Sequence, residues 1–131
     1  MNKSLIWTFV IGFLVSMVYL TVASAEGNPD KGERGFKKCA SCHSIEEGAK
    51  NKNGPNLWNI MNRGTAAYDY RYSKKFKAWA EENPEWTPEL MDLWLTNSKK
   101  MVKGTKMNFK EKKESKRADI ISYLQTMGEP K

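Results

Sequence analysis

Both cysteines and the only histidine of this 131-residue chain fall within five consecutive positions, Cys39-Ala40-Ser41-Cys42-His43. Rare residues gathered this tightly constrain whatever is built around them. A Cys-x-x-Cys pair serves as a redox disulfide, as half of a zinc site, or as a point of haem attachment. The redox reading needs a strand before the motif and a βαβ context, and neither is present. Structural zinc takes four ligands, almost always Cys or His. Three are on offer here, all local, so a carboxylate would have to complete the set. Haem attachment lacks nothing. Two thiols on one turn add across the vinyl groups, and the next residue sets an imidazole against the iron. The bland alternative, buried cysteines beside a chance histidine, leaves the clustering unexplained.

The N-terminus bears on the compartment. Lys3 precedes an apolar run from Leu5 to Val22 without a charged residue, and Ala23-Ser24-Ala25 follows. That is the layout of a secretory signal peptide over residues 1–25, cleaved after Ala25. The alternative is a retained membrane anchor, since the run approaches bilayer-spanning length. The remaining 106 residues, 26–131, make one small domain with a modest core. A disulfide between cysteines three positions apart would constrain the unfolded chain little, so a large apolar cofactor is the better supplement.

The chain holds 22 Lys and Arg against 15 Asp and Glu, a net charge of +7, or +6 without residues 1–25. That balance suits an acidic partner surface, anionic lipid or nucleic acid. Export and the lack of a nucleic-acid-binding motif argue against the last.

Hydrophobic spacing and capping residues predict an all-α domain of four or five short helices with long loops. Asn28-Pro29 opens a helix to about Lys38. Leu57 to Met61 makes one or two turns. Ser73 caps a helix over 74–82, with Phe76 and Trp79 on one face, and Asn83-Pro84 stops it. Thr87-Pro88 starts another, carrying Leu90, Met91, Trp94 and Leu95. Residues 98–113 read as a long basic loop. Glu114 or Ser115 begins a last helix whose Arg117, Ile120, Ile121, Leu124 and Met127 share a face, and Gly128 ends it. Loops this long are uncommon in small domains unless they wrap something.

A haem iron has a second axial position. With no other histidine, methionine is the remaining soft donor. Met91 and Met127 fall on helix faces, where core packing explains them. Met61, Met101 and Met107 stay open, and a lysine is the further alternative, opposed by its protonation at neutral pH.

Several stretches occur together in order: Gly32 and Phe36, Cys39-x-x-Cys42-His43, Gly54-Pro55-Asn56-Leu57, Gly104-Thr105-Lys106-Met107, and Arg117 to Leu124. In this the chain resembles the class I c-type cytochromes, mitochondrial and bacterial periplasmic, from about Asp30 to Met127. The resemblance implies the small cytochrome c fold around one covalent haem c. It makes Cys39 and Cys42 the thioether residues, with His43 and Met107 as axial iron ligands. Pro55 would orient His43, while Arg63, Tyr72 and Trp86 would serve a buried propionate. Leu57, Trp94, Leu95, Thr105 and Phe109 would complete the haem pocket. Gly32 and Phe36 would meet Ile120 and Tyr123 where the first and last helices cross. The chain departs from the family pattern at Lys103 and Ser98, where proline is common, and at Trp94, where tyrosine is common.

The implied function is that of a soluble, monomeric one-electron carrier in a bacterial periplasm. It would run from a quinol–cytochrome c oxidoreductase to a cytochrome oxidase or similar acceptor. Lys38, Lys50, Lys52, Lys99, Lys100, Lys103 and Lys106 would frame the haem edge and dock on acidic surfaces of those membrane complexes. The alternatives are a membrane-anchored electron-transfer cytochrome, and a haem enzyme or gas sensor with a labile sixth ligand.

Overall fold

Asn28 opens the first helix by accepting the Lys31 N–H on its side-chain oxygen at 2.9 Å, and Pro29 takes the first helical position. The computed structural model describes residues 26–128, so the expected signal segment, residues 1–25, lies outside them. Helix α1 (Pro29–Ala40) runs two residues beyond the expected Lys38, which makes Cys39 part of its last turn. A single 3-10 turn, Ile60–Asn62, stands where one or two helical turns were expected. Helix α2 (Lys74–Glu82) is capped by Ser73 and α3 (Pro88–Thr96) by Thr87, both as their sequences predict. The 98–113 stretch is not loop throughout. Asn97 ends α3 and caps a four-residue helix, α4 (Ser98–Met101), before the chain becomes irregular. Helix α5 (Glu114–Gln125) ends short of Met127, and Gly128 follows in the left-handed region at φ +87°. No named strand occurs among the described residues, only an isolated bridge between Gly64 and Glu85. None of the described helices is long and apolar enough to cross a membrane.

The dominant packing is α1 on α5. It depends on Gly32, where an added Cβ would lie 2.0 Å from the Asp119 carbonyl oxygen and 2.6 Å from Tyr123 Cβ. Beside it Phe36 and Tyr123 meet with ring centroids 5.5 Å apart. The N–H of Asn28 donates to the Asp119 carboxylate at 2.8 Å, which ties the start of α1 to the same turn of α5.

Arg117 joins α5 to α3. It is 8 % exposed, and its Nε and Nη2 donate to the two carboxylate oxygens of Asp92 at 2.7 and 3.2 Å. Its Nη1 donates to the Glu111 and Lys112 carbonyls, each at 3.1 Å. Full pairing of this kind offsets the cost of burying a guanidinium. These two helix contacts hold the long loops between them.

Gly32→Ala is expected to lower the unfolding free energy by about 3 kcal/mol or more, since backbone must move to admit the methyl. Gly48→Ala meets open space and pays only for φ +70°, about 1–2 kcal/mol. Parallel denaturant titrations of the two variants check the contrast; equal losses would mean the α1–α5 crossing yields easily.

Candidate haem site

The last turn of α1 sorts the two thiols by environment: Cys39 is buried and Cys42 exposed. The N–H groups of Cys42 and His43 both donate to the Cys39 carbonyl, at 3.0 and 2.9 Å, so the helix end folds the motif into one turn. Burial pushes the Cys39 thiol up to about 11, against the lowering pull of Lys38. At neutral pH it is protonated, which leaves it a poor nucleophile for disulfide exchange.

His43 is 9 % exposed, and its Nδ1 lies 2.7 Å from the Pro55 carbonyl oxygen. A carbonyl only accepts, so Nδ1 carries the proton and Nε2 keeps a free lone pair. Burial lowers the His43 pKa; the Pro55 bond opposes this and Lys52 adds to it. The ring is therefore neutral at neutral pH, the form that binds a metal. The loop that brings Pro55 here is zipped to the motif by backbone bonds, Gly54 N–H to the Cys42 carbonyl and Leu57 N–H to the Ser44 carbonyl, each 2.8 Å. Position 54 must be glycine, because a Cβ would stand 2.3 Å from His43 Cε1. Asn56 anchors the same loop from within. It is fully buried, its amide donates to the Glu46 and Ala49 carbonyls at 2.7 and 2.8 Å, and its side-chain oxygen accepts from Trp58 N–H at 2.7 Å.

Cys39, Cys42 and His43, with Gly54 and Pro55, face a cavity of about 340 Å³, within the range of small-ligand and cofactor sites. Cys39, Cys42, His43, Pro55, Leu57, Tyr72, Trp86, Trp94, Leu95, Thr105, Met107 and Phe109 line it together, with Lys38 and Lys106. Phe76 and Met91, read from the sequence as helix-face core residues, line it too, as do Tyr70 and Asn53, which no motif had marked. Tyr70 is brought in by its hydroxyl, which donates to the Asn53 carbonyl. Arg63 is not in the wall. Its Nη2 donates to the Asn56 carbonyl at 2.6 Å, and its guanidinium sits over the Tyr68 ring. Lys50, Lys52, Lys99, Lys100 and Lys103 also lie outside the wall.

Three buried donors have no partner among the described residues: Trp86 Nε1 and Arg63 Nε and Nη1. Buried donors are rarely left unpaired, and these call for an acceptor group of the kind a haem carboxylate provides. Burial lowers the Arg63 pKa and raises that of Tyr72, and each opposes the other's shift, so the two side chains sit within electrostatic reach. Apolar walls, neighbouring thiols, a neutral imidazole and orphaned donors all fit a haem.

A profile of the cytochrome c family matches residues 29–128. Cytochrome c of Ginkgo biloba is 44% identical over 103 residues, spanning 75% of this chain and 87% of the relative. Cytochrome c2 of Agrobacterium tumefaciens is 41% identical over 101 residues, spanning 76% and 91%. The solved structure of cytochrome c2 from Rhodospirillum centenum superposes with a TM-score of 0.70 at 34% identity, covering 77% of this chain and 98% of that one. The helices, the attachment motif and these likenesses define a c-type haem protein. The chain belongs to the cytochrome c family. It is an electron carrier with the cytochrome c fold and one covalently bound haem c.

Trp86→Phe removes one orphaned donor while keeping most of the ring volume. In the haem-loaded protein it is expected to cost about 1–3 kcal/mol of unfolding free energy, read by denaturant titration. A neutral result would mean that the indole N–H serves no buried acceptor.

Proposed function

We propose that this chain is a diffusible one-electron carrier of a bacterial periplasm, exported by residues 1–25. In this reading Cys39 and Cys42 form the thioether bonds, and His43 and Met107 are the axial ligands. The observation that carries it is a single cavity wall to which all four side chains contribute. When bound there, haem supplies a reversible one-electron couple at its iron.

The chain's own residues do the rest. The Pro55 carbonyl holds the imidazole in one tautomer and orientation and raises its basicity. Met107 offers a soft thioether, and a methionine–histidine pair favours a raised potential. With His43 and Met107 both holding the iron, no open site would be left for a substrate, which suits a carrier better than an enzyme. Arg63, Tyr72 and Trp86 would receive the buried propionate. Leu57, Trp94, Leu95, Thr105 and Phe109 keep water from the pocket, which strengthens every charge interaction within it.

The lysines support docking to acidic surfaces of a quinol–cytochrome c oxidoreductase and a terminal oxidase, as a monomer. They fall into two groups. Lys38 is held by Glu111 at 3.3 Å, while Lys52 and Lys106 donate to the Ala40 and Arg71 carbonyls at 2.8 and 2.7 Å. Lys50, Lys99, Lys100 and Lys103 are exposed and make no ion pair among the described residues. Of the seven, only Lys38 has its charge paired; Lys52 and Lys106, bonded to neutral carbonyls, and the second group all keep a charge that can steer a partner.

Visible spectra of wild type and Met107→Ala, each with and without carbon monoxide, test the ligation. Wild type is expected to retain haem on extraction, show the ferric sulfur–iron band and ignore the gas. Met107→Ala is expected to lose the band and bind it. A wild type that takes up carbon monoxide readily would turn the reading toward an enzyme or sensor.

Reversing Lys99 and Lys100 together to Glu is expected to slow association with an isolated cytochrome oxidase roughly tenfold at low salt. The difference should shrink as ionic strength rises. Stopped-flow oxidation kinetics across a salt series read both, and a rate indifferent to the reversal would remove these lysines from the docking surface.

A further inference from the structure

Ser98 is 0 % exposed, although it opens a helix of only four residues. Its hydroxyl donates to the Met107 carbonyl at 3.1 Å, with the Phe109 carbonyl farther off at 3.4 Å, and accepts from the Phe109 N–H at 3.0 Å. Its backbone N–H donates to the Phe109 carbonyl at 3.2 Å. Among the described residues, every hydrogen bond made by the backbone of 107–109 ends on Ser98. Asn97 holds the serine in place by capping α4, its side-chain oxygen accepting from the Lys100 N–H at 3.0 Å.

On the other side of Met107, Lys106 is tied through its side chain to the Arg71 carbonyl at 2.7 Å, and the backbone turn before it is closed by one bond. Thr105 N–H donates to the Val102 carbonyl at 3.1 Å, and Gly104 has φ +90°. That is the arrangement of a type II turn, whose second position favours proline for its fixed φ. Lys103 occupies that position and leaves the turn freer. A proline at 98 would have neither the N–H nor the hydroxyl used here.

We infer that Ser98 is a positioning residue for Met107. Its hydroxyl and amide clamp the 107–109 backbone so that the Met107 side chain stays in the cavity wall, and this clamp supplies the restraint that Lys103 does not. The inference rests on the Met107 ligation proposed above.

The test uses the haem-loaded protein in three forms: wild type, Ser98→Ala, and Ser98→Ala with Lys103→Pro. Carbon monoxide uptake by the reduced protein reports how often Met107 leaves the iron, and amide exchange at Phe109 reports the clamp without reference to the iron. Ser98→Ala is expected to speed gas uptake by about tenfold or more, the weight of a lost buried hydrogen bond, and to speed Phe109 exchange. Adding Lys103→Pro is expected to recover a good part of the uptake rate. A closed wild type with Ser98→Ala no faster in either readout overturns the proposal and leaves the Met107 reading standing. So does a Ser98→Ala that is merely easier to unfold. A wild type that binds the gas freely overturns the Met107 reading, and this inference with it. Should Ser98→Ala not assemble, the same rates are read on Ser98→Cys, which has similar shape but a much weaker donor and acceptor.

Discussion

The core of this protein is the wall of its cofactor cavity. Among the described residues, all but Ala80, Val102 and Ile121 of the buried apolar side chains line that cavity, so little of this hydrophobic burial is independent of it. A chain this small buries a limited share of its surface by itself, and a large apolar group against the inner faces of Phe36, Leu95 and Ile120 extends that burial. The helices reflect the same dependence. Helices α2 and α3 have nine residues each and α4 has four, all below the length at which an isolated helix is stable in water. Packing on the shared wall through Phe76 of α2 and Met91, Trp94 and Leu95 of α3, and for α4 the Asn97 cap and the buried Ser98, keep them formed where helix propensity would not.

Polar residues hold the loops, which do most of the wrapping. Asn56, Ser98 and Arg117 are each buried, and each satisfies backbone groups of an irregular segment: Asn56 the 46–58 loop, Ser98 the 107–109 segment, Arg117 the 111–112 carbonyls. Buried polar groups with complete partners specify one arrangement, because any slip strands a donor or acceptor in a low-dielectric interior. Helices α1 and α5 set the frame, and these three side chains fix the loops against it. The aromatic cluster forms one side of the cavity wall through Phe76, Trp86 and Trp94, with Trp79 behind it. Phe76 lies 5.4 Å from Trp94 and 5.5 Å from Trp79, and Trp86 lies 5.8 Å from Trp94.

Local signals determined much of this from the sequence. Asn28-Pro29, Ser73 and Thr87-Pro88 mark helix starts because capping is a local event, settled within four residues. The attachment motif is equally local, since both thiols and the imidazole must share one helical turn. Resemblance in the ordered motifs extended that reading to Pro55, Leu57, Trp86 and Met107, but not to Asn53, Tyr70, Phe76 or Met91 of the same wall. Tertiary structure alone decided the remainder. That Ser98 caps nothing and instead clamps a segment nine to eleven residues away depends on where the chain returns. Which lysines are tied to Glu111 or to backbone carbonyls, and which stay free, is likewise a matter of distance in space. The three orphaned donors of Arg63 and Trp86 could not be read in the sequence either, because an unpaired group is defined by its surroundings, and only folding creates those.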